Sequence, residues 1–199
     1  NLGSAFYNFT YNPNNIITML DSIHRYPKFE KNGAIADNIL DIIKSRTAGF
    51  PAPRIHIKTT EEDNKNLDFR EKYLYIQFFT SWDVRAKKEI TIMRDLHEKY
   101  GKYVTFLSIA MDEDKARFDQ FQQEHQLPWK AVYVGPDEQV VSSYGIKNTP
   151  TYFLIDPEGF LVQSPALSPS PDGEYETIDK TFYYIKQALD PPKREGRSY

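Results

Sequence analysis

An almost unbroken apolar run, Tyr73 to Phe79, stops at Thr80-Ser81-Trp82-Asp83 and gives way to apolar residues at Ile90, Met93, Leu96 and Tyr100. The run has the length and aromatic content of a buried strand, and the later spacing is that of one helix face. A strand is therefore expected to lead directly into a helix. Tyr103 to Ala110 predicts a second buried strand, and Phe118 and Phe121 mark the apolar face of a helix ending near His125. Ala131 to Val134 predicts a short strand, and Gly135-Pro136-Asp137 opens a brief helix that closes at Gly145. Thr151 to Ile155 and Phe160 to Gln163 predict a hairpin. Its turn, Asp156-Pro157-Glu158-Gly159, places Pro second and Gly fourth, as a type I turn prefers. Ile178, Phe182, Ile185 and Leu189 mark a final amphipathic helix stopped by Pro191-Pro192.

Before the central run the pattern is different. Residues 1–12 scatter Phe6, Tyr7, Phe9 and Tyr11 among small polar residues, without a period, and read as an arm. From Pro13, the positions Ile16, Ile17, Leu20 and Ile23 have helical spacing. Ile35, Ala36, Ile39, Leu40, Ile42 and Ile43 form a second apolar face that ends at Gly49. The segment Ala48-Gly49-Phe50-Pro51-Ala52-Pro53 is too rich in proline for a helix and reads as extended chain. Ile55 and Ile57 alternate as in an edge strand from Arg54 to Lys58, Thr59 to Asn66 is polar enough for a turn, and Leu67 to Arg70 leads into the central strand. Near the other end, Ser164 to Gly173, SPALSPSPDG, reads as a surface excursion, with a partner-binding loop as the alternative. These boundaries divide the chain into a helical extension (1–48), an α/β domain (49–190) and a tail (191–199).

Strands alternating with helices and closed by a hairpin imply an α/β domain. With 199 residues, 40% of them hydrophobic, the chain can bury one substantial core. A net charge of −3 gives no nucleic-acid footprint, which would need clustered Lys and Arg. No apolar run reaches the roughly 18 residues of a membrane span. Because the sequence starts at Asn1 and not at Met, it is expected to be the remainder of a longer product from which a signal or anchor segment is missing.

Chemistry is expected where the central strand hands over to its helix, since the helix N-terminus offers unpaired N–H groups there. Asp83 fits a cap, its carboxylate accepting from N–H groups two or three residues on. The other reading makes it a general acid or base beside Glu89. No metal or other cofactor is expected. Asp112, Glu113 and Asp114 are too few for an oxygen-ligand site, which takes six or more donors, and read instead as a helix N-cap followed by acids in the first turn. His24, His56, His97 and His125 share no metal-ligand spacing.

The phrase Phe79-Thr80-Ser81-Trp82-Asp83-Val84-Arg85-Ala86-Lys87-Lys88-Glu89 resembles the active-site turn of thioredoxin-like proteins of the TlpA/ResA branch, F-x-x-W-C-x-x-C-K-K-E. Asn148-Thr149-Pro150-Thr151-Tyr152-Phe153-Leu154-Ile155-Asp156-Pro157-Glu158-Gly159 resembles the same family's T-P-T-x-F-L-I-D-x-x-G, in which the proline is cis and faces the cysteines. The resemblance spans about Phe50 to Leu189. It implies a thioredoxin-like fold, a central mixed sheet flanked by helices, with an N-terminal helical extension.

In this resemblance Asp83 and Ala86 stand where the family has its two cysteines, and Glu89 matches a glutamate that assists proton transfer. Dithiol exchange needs a thiolate to attack a disulfide sulfur, and the chain contains no cysteine. Thiol-disulfide oxidoreductase chemistry is thereby excluded for the chain. The groove implied by the resemblance needs no sulfur. In active relatives, extended substrate chain lies beside the tryptophan and the cis-proline, here Trp82 with Thr149 and Pro150. The leading expectation is a redox-inactive binding or interaction module of the periplasm or cell envelope, whose partner is extended polypeptide or an envelope protein. Two alternatives stay open: a structural accessory domain of a larger envelope protein, and a non-thiol enzyme using Asp83 and Glu89.

Overall fold

The computed structural model describes residues 13–25, 30–54, 71–136, 138–171 and 176–191. Its elements in order are α1 (Pro13–Arg25), α2 (Glu30–Lys44), β1 (Tyr73–Phe79), α3 (Val84–Tyr100), β2 (Val104–Ala110), α4 (Lys115–His125), β3 (Lys130–Tyr133), α5 (Glu138–Tyr144), β4 (Thr151–Ile155), β5 (Leu161–Gln163) and α6 (Ile178–Leu189). The strands form one sheet in the order β3-β2-β1-β4-β5. β1, β2 and β3 run parallel, β4 pairs antiparallel with β1, and β5 pairs antiparallel with β4. This is the expected mixed sheet flanked by helices. The expected arm at 1–12, the edge strand and turn at 55–66, the segment at 67–70 and the end of the tail lie outside the described residues.

Each apolar run is buried because both faces of the sheet are covered. On one face Tyr75, Phe106, Tyr152 and Leu154 pack under Met93, Leu96 and Tyr100 of α3 and Ile178, Phe182 and Ile185 of α6. Tyr75 lies at the middle of this layer. Its ring stacks on Tyr152 at 5.3 Å and meets Phe182 and Phe106 edge-on at 5.2 and 5.8 Å. Each such pair adds about 0.5–1.5 kcal/mol beyond the area it buries. On the other face Leu74, Ile76, Phe78, Leu107, Ile109, Phe153 and Ile155 pack with Val140 and Tyr144 of α5. A third cluster joins Phe79 and Ala110, at the ends of β1 and β2, to Ala86 and Ile90 of α3 and Phe118 and Phe121 of α4. Of the positions expected to be apolar and inward on α6, only Leu189, in its last turn, is left exposed.

The hairpin turn forms as its residues demand. Gly159 N–H donates to Asp156 O at 3.0 Å, and Gly159 has φ +89°, a conformation that side-chain-bearing residues rarely adopt. The extended segment at 49–52 runs along β5. Gly49 N–H donates to Leu161 O, Leu161 N–H to Phe50 O, and Ala52 N–H to Gly159 O. These bonds satisfy groups that an open sheet edge would leave unpaired.

Helices α1 and α2 share a small core of their own, made of Ile16, Leu20, Ala36, Leu40 and Ile43. Their apolar stripe is wider than this contact needs. Ile35 and Ile42, expected to face inward, are 59% and 47% exposed, and Met19 is 43% exposed.

Candidate functional site

The carboxyl end of β1 meets the start of β4 because the two strands are antiparallel neighbours. Phe78 lies opposite Thr151, so the residues just beyond, Thr80 and Thr149, must approach each other. Their hydroxyl oxygens are 3.5 Å apart. The Thr149-Pro150 peptide bond is cis, as the resemblance implies. Asp83, Thr80, Thr149 and Pro150 are thereby gathered on one side of the strand-to-helix turn.

Asp83 caps α3. Its Oδ1 accepts from the N–H groups of Arg85 at 2.7 Å and Ala86 at 3.0 Å, satisfying two donors at the helix start. Its Oδ2 accepts from the Thr149 hydroxyl at 3.4 Å, which ties the cap to the proline loop. Trp82 and Val84, on either side of Asp83, are 61% and 65% exposed. Ala86 is buried, its methyl packed with Phe79 and Ile90.

Asp112 supports the turn from below, a role that the sequence did not reveal. It follows β2, is 1% exposed, and accepts from Ser81 N–H and from the Ser81 hydroxyl at 2.6 Å. The cap of α4 is Asp114, the last of the three acids, and the first turn of that helix holds no acid. The expected order, a cap followed by acids, is thus reversed. One acid caps α4 and another holds the neighbouring turn. Asp112→Ala would strand two buried donors on Ser81 and is expected to cost about 1–3 kcal/mol of stability. Unfolding in urea measures this. An unchanged midpoint would mean that the Ser81 groups find other acceptors.

Glu89 does not join Asp83. It is 1% exposed and faces the layer between α3 and the sheet. Its Oε2 accepts from the Tyr152 hydroxyl, and its Oε1 accepts from Arg85 Nε at 3.1 Å and from the Ser170 hydroxyl. Burial and the neighbouring Glu89 carboxylate hold the Tyr152 hydroxyl well above the ordinary tyrosine range, so it stays protonated and donates. From Tyr152 the chain of bonds continues across the sheet. Gln77 Nε2 donates to the Tyr152 oxygen at 3.1 Å, Ser108 Oγ donates to Gln77 Oε1 at 2.8 Å, and Trp129 Nε1 donates to Ser108 Oγ at 2.8 Å. Gln77, Ser108 and Tyr152 share one row of the strand register, which is why buried polar groups on three strands can satisfy one another.

The serine and proline loop is more than a surface excursion. Ala166 N–H donates to Tyr152 O, Tyr75 OH donates to Leu167 O, and Arg85 Nη2 donates to Ser168 Oγ at 3.0 Å. Pro169 is buried, and Ser170 completes the shell around Glu89. Sequence alone could not show this, because Ser170 and Glu89 are 81 positions apart. An acid-base pair of Asp83 and Glu89 finds no support in this arrangement, since each carboxylate is engaged with a different set of donors.

A sheet in this order, a helix starting at the end of its central strand, and a cis-proline facing that helix define a thioredoxin-like protein, here one with no thiol. Residues 48–164 match the AhpC/TSA family model, and the chain belongs to that family. It is similar to the thiol-disulfide oxidoreductase ResA of Bacillus thuringiensis, with 28% identity over 117 residues, 58% of this chain and 67% of the relative. ResA of Bacillus subtilis is 26% identical over 122 residues, covering 60% and 68% of the two chains. Among solved structures, the C-terminal domain of a Bacteroides thetaiotaomicron protein assigned to the thiol-disulfide oxidoreductases superposes with a TM-score of 0.58 at 23% identity, covering 72% of this chain and 99% of that one. The thioredoxin domain of a Bacteroides vulgatus thiol-disulfide oxidoreductase gives 0.55 at 22%, covering 72% and 99%. The two structural likenesses establish the fold alone. Among the described residues, no helix is long and apolar enough to cross a membrane.

Proposed function

We propose that this chain is a redox-inactive binding module that holds extended polypeptide in the groove between Trp82 and Thr149-Pro150. The observation that carries the reading is the open indole of Trp82, 61% exposed beside a turn that Asp83, Thr149 and Asp112 hold in place. A large apolar ring on a rigid support is costly to leave in water and well suited to contact a partner. Among the described residues, the Thr149 backbone has no backbone hydrogen-bond partner. Its N–H and C=O are free to pair with a peptide added as a short strand, a mode in which main-chain bonds give affinity and side-chain pockets give selectivity.

The site of action we infer is the periplasm or cell envelope, where TlpA-like proteins usually work. Residues 49–190 act as the binding domain, and 1–48 as an extension. Chemical-shift mapping with a panel of extended peptides tests the reading. Weak, sequence-tolerant binding is expected, with shifts centred on Trp82, Asp83, Thr149 and Pro150 and much reduced in Trp82→Ala. Shifts confined to α1 and α2, or none, would favour the second reading, a structural accessory domain of a larger envelope protein. The exposed Met19, Ile35 and Ile42 are what recommend that alternative.

A further inference from the structure

The groove has a chemical preference written into the residue that replaces the first cysteine. We propose that Asp83 and Trp82 together form a subsite for one lysine or arginine side chain of the bound polypeptide. The proposal rests on the groove reading above and names the class of ligand that the groove prefers.

The geometry is that of a fixed carboxylate with one oxygen committed and the other turned to the groove. Oδ1 is held by two backbone N–H groups at 2.7 and 3.0 Å, so the side chain cannot swing away without losing the helix cap. Oδ2 is directed at the Thr149 hydroxyl, which is where an extended ligand would run, and the 3.4 Å contact is long for a hydroxyl donor. A carboxylate oxygen accepts more than one hydrogen bond, so a further donor can be received.

Among the described residues, Asp83 forms no ion pair. Arg85, the nearest cation along the sequence, directs its guanidinium to Glu89 and Ser168. Lys87 and Lys88 are exposed in the next positions of the helix, and Lys87 meets Asp83 through the backbone, its N–H donating to Asp83 O at 3.1 Å. A half-buried carboxylate beside an open indole complements a cation on an apolar stem, because the ring face attracts the charge and the stem packs on the ring edge. In the cysteine-bearing pattern F-x-x-W-C-x-x-C the same position carries a thiol, so the preference is particular to a chain with aspartate there.

The test compares one uncharged extended host peptide of Thr, Ser and Val carrying a central Lys, norleucine or Glu. Norleucine keeps the apolar stem and removes the charge. Wild-type protein is expected to bind the Lys peptide on the order of tenfold more tightly than the norleucine peptide, and the Glu peptide more weakly than either. The margin should shrink as salt is raised, since part of the site is open to solvent. Asp83→Asn, which can still cap the helix, is expected to bring the Lys and norleucine affinities together. Equal affinity for those two peptides in wild type, or a Lys preference that survives in Asp83→Asn, overturns the subsite while leaving the groove in place. Failure of every peptide to bind overturns the groove itself.

Discussion

A protein carrying both Asp83→Cys and Ala86→Cys is expected to close an intramolecular disulfide on mild oxidation and to gain disulfide reductase activity that the parent lacks. Asp83 caps α3 and Ala86 lies in its first turn. Residues three apart at a helix start have Cα atoms about 5 Å apart, inside the range that a disulfide of normal geometry spans. The surroundings are suited to the chemistry. The N–H groups of Arg85 and Ala86, which now donate to Asp83, would be released to a thiolate at the same place, and such donors with the helix dipole lower a thiol's pKa. Ala86 is 1% exposed, so a sulfur there would be the sheltered one of the pair. Loss of the aspartate cap costs about 0.5–2 kcal/mol, which a folded domain tolerates. Thiol titration and mass spectrometry follow closure, and insulin reduction follows activity, with the cysteine-free parent as the blank. If the pair refuses to oxidise, the register assigned to this turn is wrong.

Glu89→Ala is expected to be the most damaging single substitution near the site. Removing one partner of a buried ion pair costs about 3–5 kcal/mol. Here the side chain of Arg85 is 41% exposed and can be rehydrated, which places the expected loss near the lower end. The hydroxyl of Tyr152 cannot be rehydrated as easily, because it lies in the layer beneath α3 with Gln77 as its remaining partner. Ser170 also loses its acceptor, so the loop at 164–171 should loosen along with the global loss. Glu89→Gln keeps the shape and one acceptor oxygen, and is expected to cost less, on the order of 1–3 kcal/mol. Urea unfolding measures both, and amide exchange at Ala166 and Leu167 reports the loop. A Glu89→Ala protein as stable as its parent would show that the shell around Glu89 contributes nothing net.

The strand-to-helix step from Tyr73 to Tyr100 is legible in the sequence because a long apolar run and a helical spacing meet at a polar turn, and each has only one economical structure. Asp83 as a cap is legible for the same reason: the bond it makes is local, two or three residues away. What the sequence hides is every polar contact made at a distance. Asp112 meets Ser81 from 31 positions away, and Tyr152 meets Glu89 from 63. Neither pair leaves a periodic trace, since pairing of this kind is set by strand register and by the packing of α3 on the sheet. The serine and proline loop misleads for a related reason. Its composition is that of exposed turns, yet Ser170 donates its hydroxyl to the buried Glu89 carboxylate and Ser168 accepts from the partly exposed Arg85 guanidinium. The wide apolar face of α2 reads as a core stripe, and only the packing shows that Ile35 and Ile42 are left outside it.

The row that runs from Glu89 across three strands ends on an indole, and the chain has only one other. Trp129 is 8% exposed with its N–H committed to Ser108, whereas Trp82, in the strand-to-helix turn, is open to solvent. The molecule therefore carries two tryptophan fluorophores in opposite environments. One emits from a dry, fixed setting and follows the integrity of the sheet. The other is open to collisional quenchers and follows whatever settles on the turn. Occupancy and folding can be recorded in the same cuvette, as separate spectral components, without a dye or a tag.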